Sequence, residues 1–402
     1  MVISGFFLCV LMFFLPLSIN IFVSIIGLSI FRKNILMRII FTVFFSFSMA
    51  FLAYSFEPSP AFDLYRIFEK VEWLKEMSLT SVISLYSGNS EILFNLILYV
   101  LVCNFNVHFV PAFFSFLGYF LMIYMIVNYS NKKNISNFIF IVSVIIFFLT
   151  FNHMILISGI RNFFAIILFV YLIYLEKILD KESIFTHLLY IPIIFLHKSM
   201  IIFVLLRILL FFDFKKTIKI VTIFSILLIT IPNILLSLLS RIISNSNILS
   251  LLNVFRSYIN TIRPYSTLIL IAMILFYFIC IKILCFVNKH EHQNKFYEFF
   301  IFILILMFGS FRYYVLFERL IFICICLFAI LLIDYLDILI KTKEYKRENK
   351  FLCIFIIVGI STFMFRNQLH EYWNYVNNII YDMNRTSIIE LVTKEDEVWS
   401  VL

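Results

Sequence analysis

Charge is the scarcest property of this chain. Only 14% of its 402 residues are Asp, Glu, Lys or Arg, against 63% apolar ones. An ordinary soluble chain carries about 25% charged and about 45–50% apolar residues. Glycine and alanine are rare too, at seven each, which argues against a bundle held mainly by small-xxx-small contacts. The seven cysteines (9, 103, 280, 285, 324, 326 and 353) lie in or beside apolar runs. They show neither metal-ligand spacing nor a disulfide framework, so they read as small buried hydrophobes. A Walker loop, a GxSxG elbow, an HExxH helix and a zinc-type Cys/His pattern are all missing. The run His290-Glu291-His292 is too slight to stand for a metal centre. No metal, cofactor or nucleotide-dependent chemistry is expected.

What is abundant is phenylalanine, with 53 copies in a chain whose mean hydropathy is +1.05. A soluble fold could not hide that much apolar surface. Roughly 20 apolar residues cross a bilayer as a helix, so a chain of this length holds about a dozen crossings. The expected fold class is therefore an all-α polytopic membrane protein. Its formal charge of +9 belongs to topology-setting loops rather than to nucleic-acid binding. The first 30 residues are apolar but too long for a signal-peptide core, and they lack a basic start, so no cleavable leader is expected.

Charge breaks order the spans. Arg32, Lys33 and Arg38 follow the first span, which places that loop in the cytoplasm and Met1 outside. A second span ends near Phe56, and the mixed-charge stretch 57–90 is then an outer loop. The segment from Glu91 to about His108 is read as re-entrant, because two crossings there would turn every later basic loop outward. Later crossings fall at about 110–128, 138–152, 161–176, 184–197, 199–212, 217–239, 265–287, 296–311, 320–340 and 351–366. Twelve result. The stretch 184–212 breaks at His197–Lys198, and two half-length helices meeting at a polar bend fit it equally well. One transmembrane domain, 1–366, is expected, with outer loops 57–90 and 240–264 and a polar tail, 367–402.

This topology segregates the two basic residue types. Its inner loops hold 15 Lys and three Arg, its outer side four Lys and nine Arg, with Arg207 inside a span. Topology rules do not distinguish Lys from Arg. Arginine grips phosphate with a planar, permanently charged fork, so the outer face suits a phosphorylated or otherwise anionic substrate. Snorkelling toward lipid phosphates is the plainer explanation for part of the set, above all for Arg366 and Arg385.

Several outer residues converge on that chemistry. Arg161, in SGIRNFFA, stands where a helix begins, so its charge adds to free first-turn amides and makes an anion site. His197 and Lys198 lie at the polar bend in FLHKSM. Arg312 and Arg319 flank Glu318 in FRYYVLFERLIF, and Arg256 and Arg263 lie in loop 240–264. Asp63 and Tyr65 belong to the first outer loop, and Glu91 opens the re-entrant segment. A carboxylate beside such cations can deprotonate a sugar hydroxyl. Glu69, Glu72 and Glu76 are better read as a solvated helix face.

In order and spacing, FDLYR (62–66), SEILFNL (90–96), SGIRNFFA (158–165), FLHKSM (195–200) and FERLIF (317–322) resemble the EpsG/Wzy-type polysaccharide polymerases. The likeness covers about residues 40–340, with Asn162 where the family often has Gln. It implies a GT-C-like helical bundle in a bacterial inner membrane, with the active site facing the periplasm. The implied reaction joins undecaprenyl-pyrophosphate-linked repeat units into O-antigen or exopolysaccharide. A chain-length regulator is an implied partner. On this reading Asp63, Glu91 and His197 are the candidate catalytic groups. Arg161, Arg312, Arg319, Lys198, Tyr65, Arg256 and Arg263 are the candidate substrate ligands. Two other classes stay open. A flippase for the same lipid-linked unit would need Arg at mid-membrane or on the inner side, where only Arg207 stands off both rims. An O-antigen ligase would share the outer site.

Overall fold

The computed structural model describes residues 10–12, 14–56, 58, 63–87, 91–151, 153–230, 256, 267–291, 294–311 and 313–342. Among them every regular element is helical. Three helices are long and apolar enough to cross a membrane: α2 (Ile35–Tyr54), α6 (Phe109–Lys132) and α16 (Tyr314–Thr342). Shorter apolar helices accompany them, including α1 (Leu17–Phe31), α5 (Ile92–Asn104) and α7 (Asn137–Thr150). The chain is a membrane-embedded helical protein. The expected tally of twelve crossings is not reached among the described residues. The span at 351–366 and the end of that at 217–239 lie outside them.

Two compact units emerge. The first comprises residues 10–85 and 95–160, the second 86–94 and 161–342, so the divisions fall inside α5 and at the start of α9 (Ile160–Lys177).

In the first unit, α1 and α2 form a hairpin whose turn is capped by Asn34, which accepts from the amides of Leu36 and Met37. Gly27 lets the two helices close up. A Cβ there would fall 2.5 Å from the Phe41 ring. On its other side α2 lies along α6, with Phe45 against Tyr119 and the Ser115 hydroxyl on the Met49 carbonyl. The stretch 57–90, expected as an outer loop, contains two helices, α3 (Asp63–Lys75) and α4 (Leu79–Tyr86). Leu64, Ile67, Val71 and Leu74 of α3 are buried at helical spacing, while Arg66, Glu69, Glu72 and Lys75 are exposed.

In the second unit α16 is buried almost throughout, and its middle, Leu320–Ile333, is apolar all round, as a helix stretch enclosed on every side must be. Against it pack α14 (Thr267–His290) and α15 (Lys295–Gly309), α9 meets it through Phe163 on Phe322, and α13 (Phe214–Thr230) lies along α15. Gly309 brings α15 onto α13 so closely that a Cβ would lie 2.3 Å from the Ser225 hydroxyl. The stretch 184–212 divides into α10 (Ile184–Leu188), α11 (Tyr190–Leu196) and α12 (Met200–Ile208). None is long enough to span alone. Phe169 of α9 anchors them through Tyr190 and Phe203. One cysteine expectation fails. Cys280, Cys324 and Cys326 are buried, but Cys103 and Cys285 are exposed on helix faces, where the surroundings of a membrane helix are themselves apolar.

Candidate functional site

The break between α11 and α12 frees backbone at residues 197–199, and a cluster forms around it. The His197 amide donates to the Ile193 carbonyl and ends α11, and Met200 restarts the helix by donating to the His197 carbonyl. Within the break the Ser199 amide donates to His197 Nδ1 at 3.2 Å, and the Ser199 hydroxyl lies 2.7 Å from the same nitrogen. Because Nδ1 is an acceptor, the ring proton sits on Nε2. That nitrogen faces Glu91 Oε1 at 3.9 Å.

Glu91 stands just before α5, and its other oxygen accepts from Arg161 Nη1 at 2.7 Å. Arg161 occupies the first turn of α9, with its guanidinium over the Phe94 ring at 5.9 Å. The side chains of Arg161 and Glu91 remain 27% and 15% exposed, whereas His197 is buried. Burial is the largest influence on His197. Arg319, Arg161 and Lys198 then act in the same direction, and together they hold the imidazole well below its ordinary range, hence neutral. Arg319, in the second turn of α16, is buried and near enough to be felt by the ring. Glu91, Arg161, Lys198 and Arg319 sum to a formal +2, a field suited to an anion. Beside Arg161, Asn162 is buried, and its Oδ1 has no hydrogen-bond partner.

The structure thus brings together Glu91, Arg161, His197, Lys198 and Arg319, which come from four separate stretches of sequence. Asp63 and Tyr65 open α3 in the first unit. Arg256 is exposed, and Arg263 and Arg312 lie outside the described residues. Ser199 and Asn162 are additions that the sequence offered only as neighbours of charged positions.

Sequence reasoning missed a second cluster, at the other end of α9. Glu176 is fully buried and takes both arms of Arg207, with Nε to Oε2 at 2.9 Å and Nη2 to Oε1 at 2.6 Å. Tyr190 donates to Oε2 at 2.9 Å, and Lys177 reaches Oε1 at 2.9 Å and Glu182 at 2.7 Å. Arg207 Nη2 also meets His187 Nδ1 at 2.5 Å and stacks on Tyr190 and Phe211. The signal was Arg207 itself, since an ionisable residue in an apolar run calls for a partner.

Comparison with known proteins gives one family, described as the EpsG family, matched over residues 64–377. That family is associated with polymerase-type, glycosyltransferase-like activity in polysaccharide biosynthesis. No curated protein and no solved structure gives a significant match.

Proposed function

Because the chain belongs to the EpsG family, we propose that it polymerises undecaprenyl-pyrophosphate-linked repeat units at the periplasmic face of the inner membrane. The observation that carries this reading is the accessible Arg161–Glu91 pair with His197, Lys198 and Arg319 around it. The donor's pyrophosphate competes with Glu91 for Arg161, with Arg319 and Lys198 supplying further positive charge. An acceptor sugar hydroxyl attacks the donor's anomeric carbon. The new glycosidic C–O bond forms as the bond from that carbon to the pyrophosphate oxygen breaks, and the electron pair leaves with the lipid pyrophosphate.

Glu91, released from Arg161, takes the hydroxyl proton. The Nε2–H of His197 orients the carboxylate, and the neutral state of the ring lets it do so without becoming a competing cation. Donors placed where charge develops are worth about 2.7–4 kcal/mol each.

Deleting the gene in its host and running the surface polysaccharide on a gel tests the reading. Cores capped with a single repeat unit are expected, because units would be made, moved and ligated but not joined. Loss of all capped cores, with lipid-linked units retained inside, would overturn it in favour of a flippase.

A further inference from the structure

In the first unit two arginines are buried with no carboxylate bound to them among the described residues. Arg32 follows the last residue of α1 and Arg38 lies in the first turn of α2, and each is at least nine-tenths buried. Sequence topology puts this end of the hairpin in the cytoplasm. No acidic residue occurs between 1 and 56 or between 92 and 175.

Arg32 reaches the turn that joins α6 to α7, and Arg38 reaches the end of α6 just before it. Arg32 Nη2 donates to the Ile135 carbonyl, and Arg38 Nη1 donates to Asn128 Oδ1 at 3.2 Å. That turn is shaped by Asn134, whose φ of 52° is left-handed, and by the Ile135 amide donating to the Ser130 carbonyl. Each guanidinium also faces a ring, Arg32 the Phe140 ring at 5.9 Å and Arg38 the Tyr124 ring at 5.4 Å.

These contacts are neutral and leave donors over. Arg32 Nη1, Arg38 Nε and the Ser130 hydroxyl are buried with no hydrogen-bond partner. An arginine that serves only as a topology marker snorkels into water or lipid headgroups. These two instead keep their heads between helices, where an uncompensated charge is costly. A dianionic or monoanionic oxygen cluster would answer both the charge and the orphaned donors, and the guanidinium fork matches phosphate. Basic pockets between membrane helices on the cytoplasmic side are also where lipid phosphates are held.

We propose that Arg32, Arg38 and Ser130, at the meeting of the α1–α2 and α6–α7 turns, form a phosphate-binding site. The phosphate comes from an anionic lipid headgroup or from free phosphate. The site lies wholly within the first unit and does not depend on the polymerase reading.

The test uses purified full-length protein in detergent and follows its thermal midpoint and the lipid it retains in native mass spectrometry. Three additions are compared: phosphatidylglycerol, diacylglycerol with the same tails, and inorganic phosphate. Phosphatidylglycerol is expected to be retained and to raise the midpoint, and diacylglycerol to do neither. Protection by inorganic phosphate equal to that by phosphatidylglycerol also supports the site and assigns it to the free ion. Indistinguishable effects of all three overturn it, and this comparison needs no variant. R32K and R38K keep the charge and lose the fork, so each should weaken retention about tenfold. Retention in R32K/R38K equal to the parent's would overturn the assignment.

Discussion

The two ends of α9 carry the same chemistry to opposite purposes. At one end Arg161 meets Glu91 with both side chains partly exposed. At the other, Arg207 meets Glu176 with the carboxylate fully enclosed. The ends are about 22 Å apart along the helix axis. Glu176 is saturated, since Arg207, Lys177 and Tyr190 all donate to it. Glu91 accepts a short bond from Arg161 where both side chains keep some exposure, next to a neutral histidine and two more cations. A saturated ion pair holds helices in place; an accessible one amid surplus positive charge can exchange its partner for a substrate.

The largest expected effect breaks the enclosed pair. Glu176→Ala leaves Arg207 buried and uncompensated, which costs about 3–5 kcal/mol in comparable pairs. Membrane levels of folded protein should drop sharply, as fluorescence-detected gel filtration would show. Normal levels and an unchanged melting midpoint would refute the structural role.

Arg161→Ala should do the reverse. Polymer synthesis should fall about 100- to 1000-fold, the usual cost of one lost transition-state donor. The melting midpoint should move less than in Glu176→Ala, because Glu91 keeps some exposure and its contact with His197, whereas Arg207 would be left enclosed. Polymer of normal amount and length would sink the role given to Arg161.

Smaller effects separate the carboxylates. Glu91→Gln removes the proposed base and should reduce polymer about 100-fold or more, while Asp63→Asn should leave most of it. The opposite order in a polymer assay would move the base to α3.

The smallest effect concerns pH. Burial and the neighbouring cations depress the folded-state value of His197 below its unfolded value, so the unfolded chain binds the extra proton first. The stability this neutral ring contributes is present above about pH 6.5 and declines as pH falls below it. His197→Asn should flatten that part of a plot of melting midpoint against pH. An unchanged slope would mean that other groups set the acid limb.

Much of this architecture was legible from apolar runs punctuated by basic loops. Runs at 35–54 and 109–132 are helices whose charged residues, Arg38 and Lys132, fall only in the end turns, and their interior Ser and Thr are few enough to leave the apolar signal clear. The bend at His197–Lys198 was visible as a polar pair between apolar half-runs. The motifs also singled out Arg161, His197, Lys198 and Arg319, which the fold gathers with Glu91. The Glu176–Arg207 pairing was not legible. Its partners stand 31 positions apart, and register between helices decides which acid an isolated arginine finds. In α3 the solvated face was legible from Glu69 and Glu72, but the buried stripe of Leu64, Ile67, Val71 and Leu74 was masked by the mixed charge around it.

The brevity of α12 bears on how the protein is made. At nine residues, with Arg207 in its last turn, it is too short to cross a bilayer by itself and carries a charge that calls for a partner. Glu176 is synthesised 31 residues earlier. Ribosome-ordered assembly therefore presents the anion first. A truncation ending after α11 should then insert, while one lacking α9 should strand α12 at the surface.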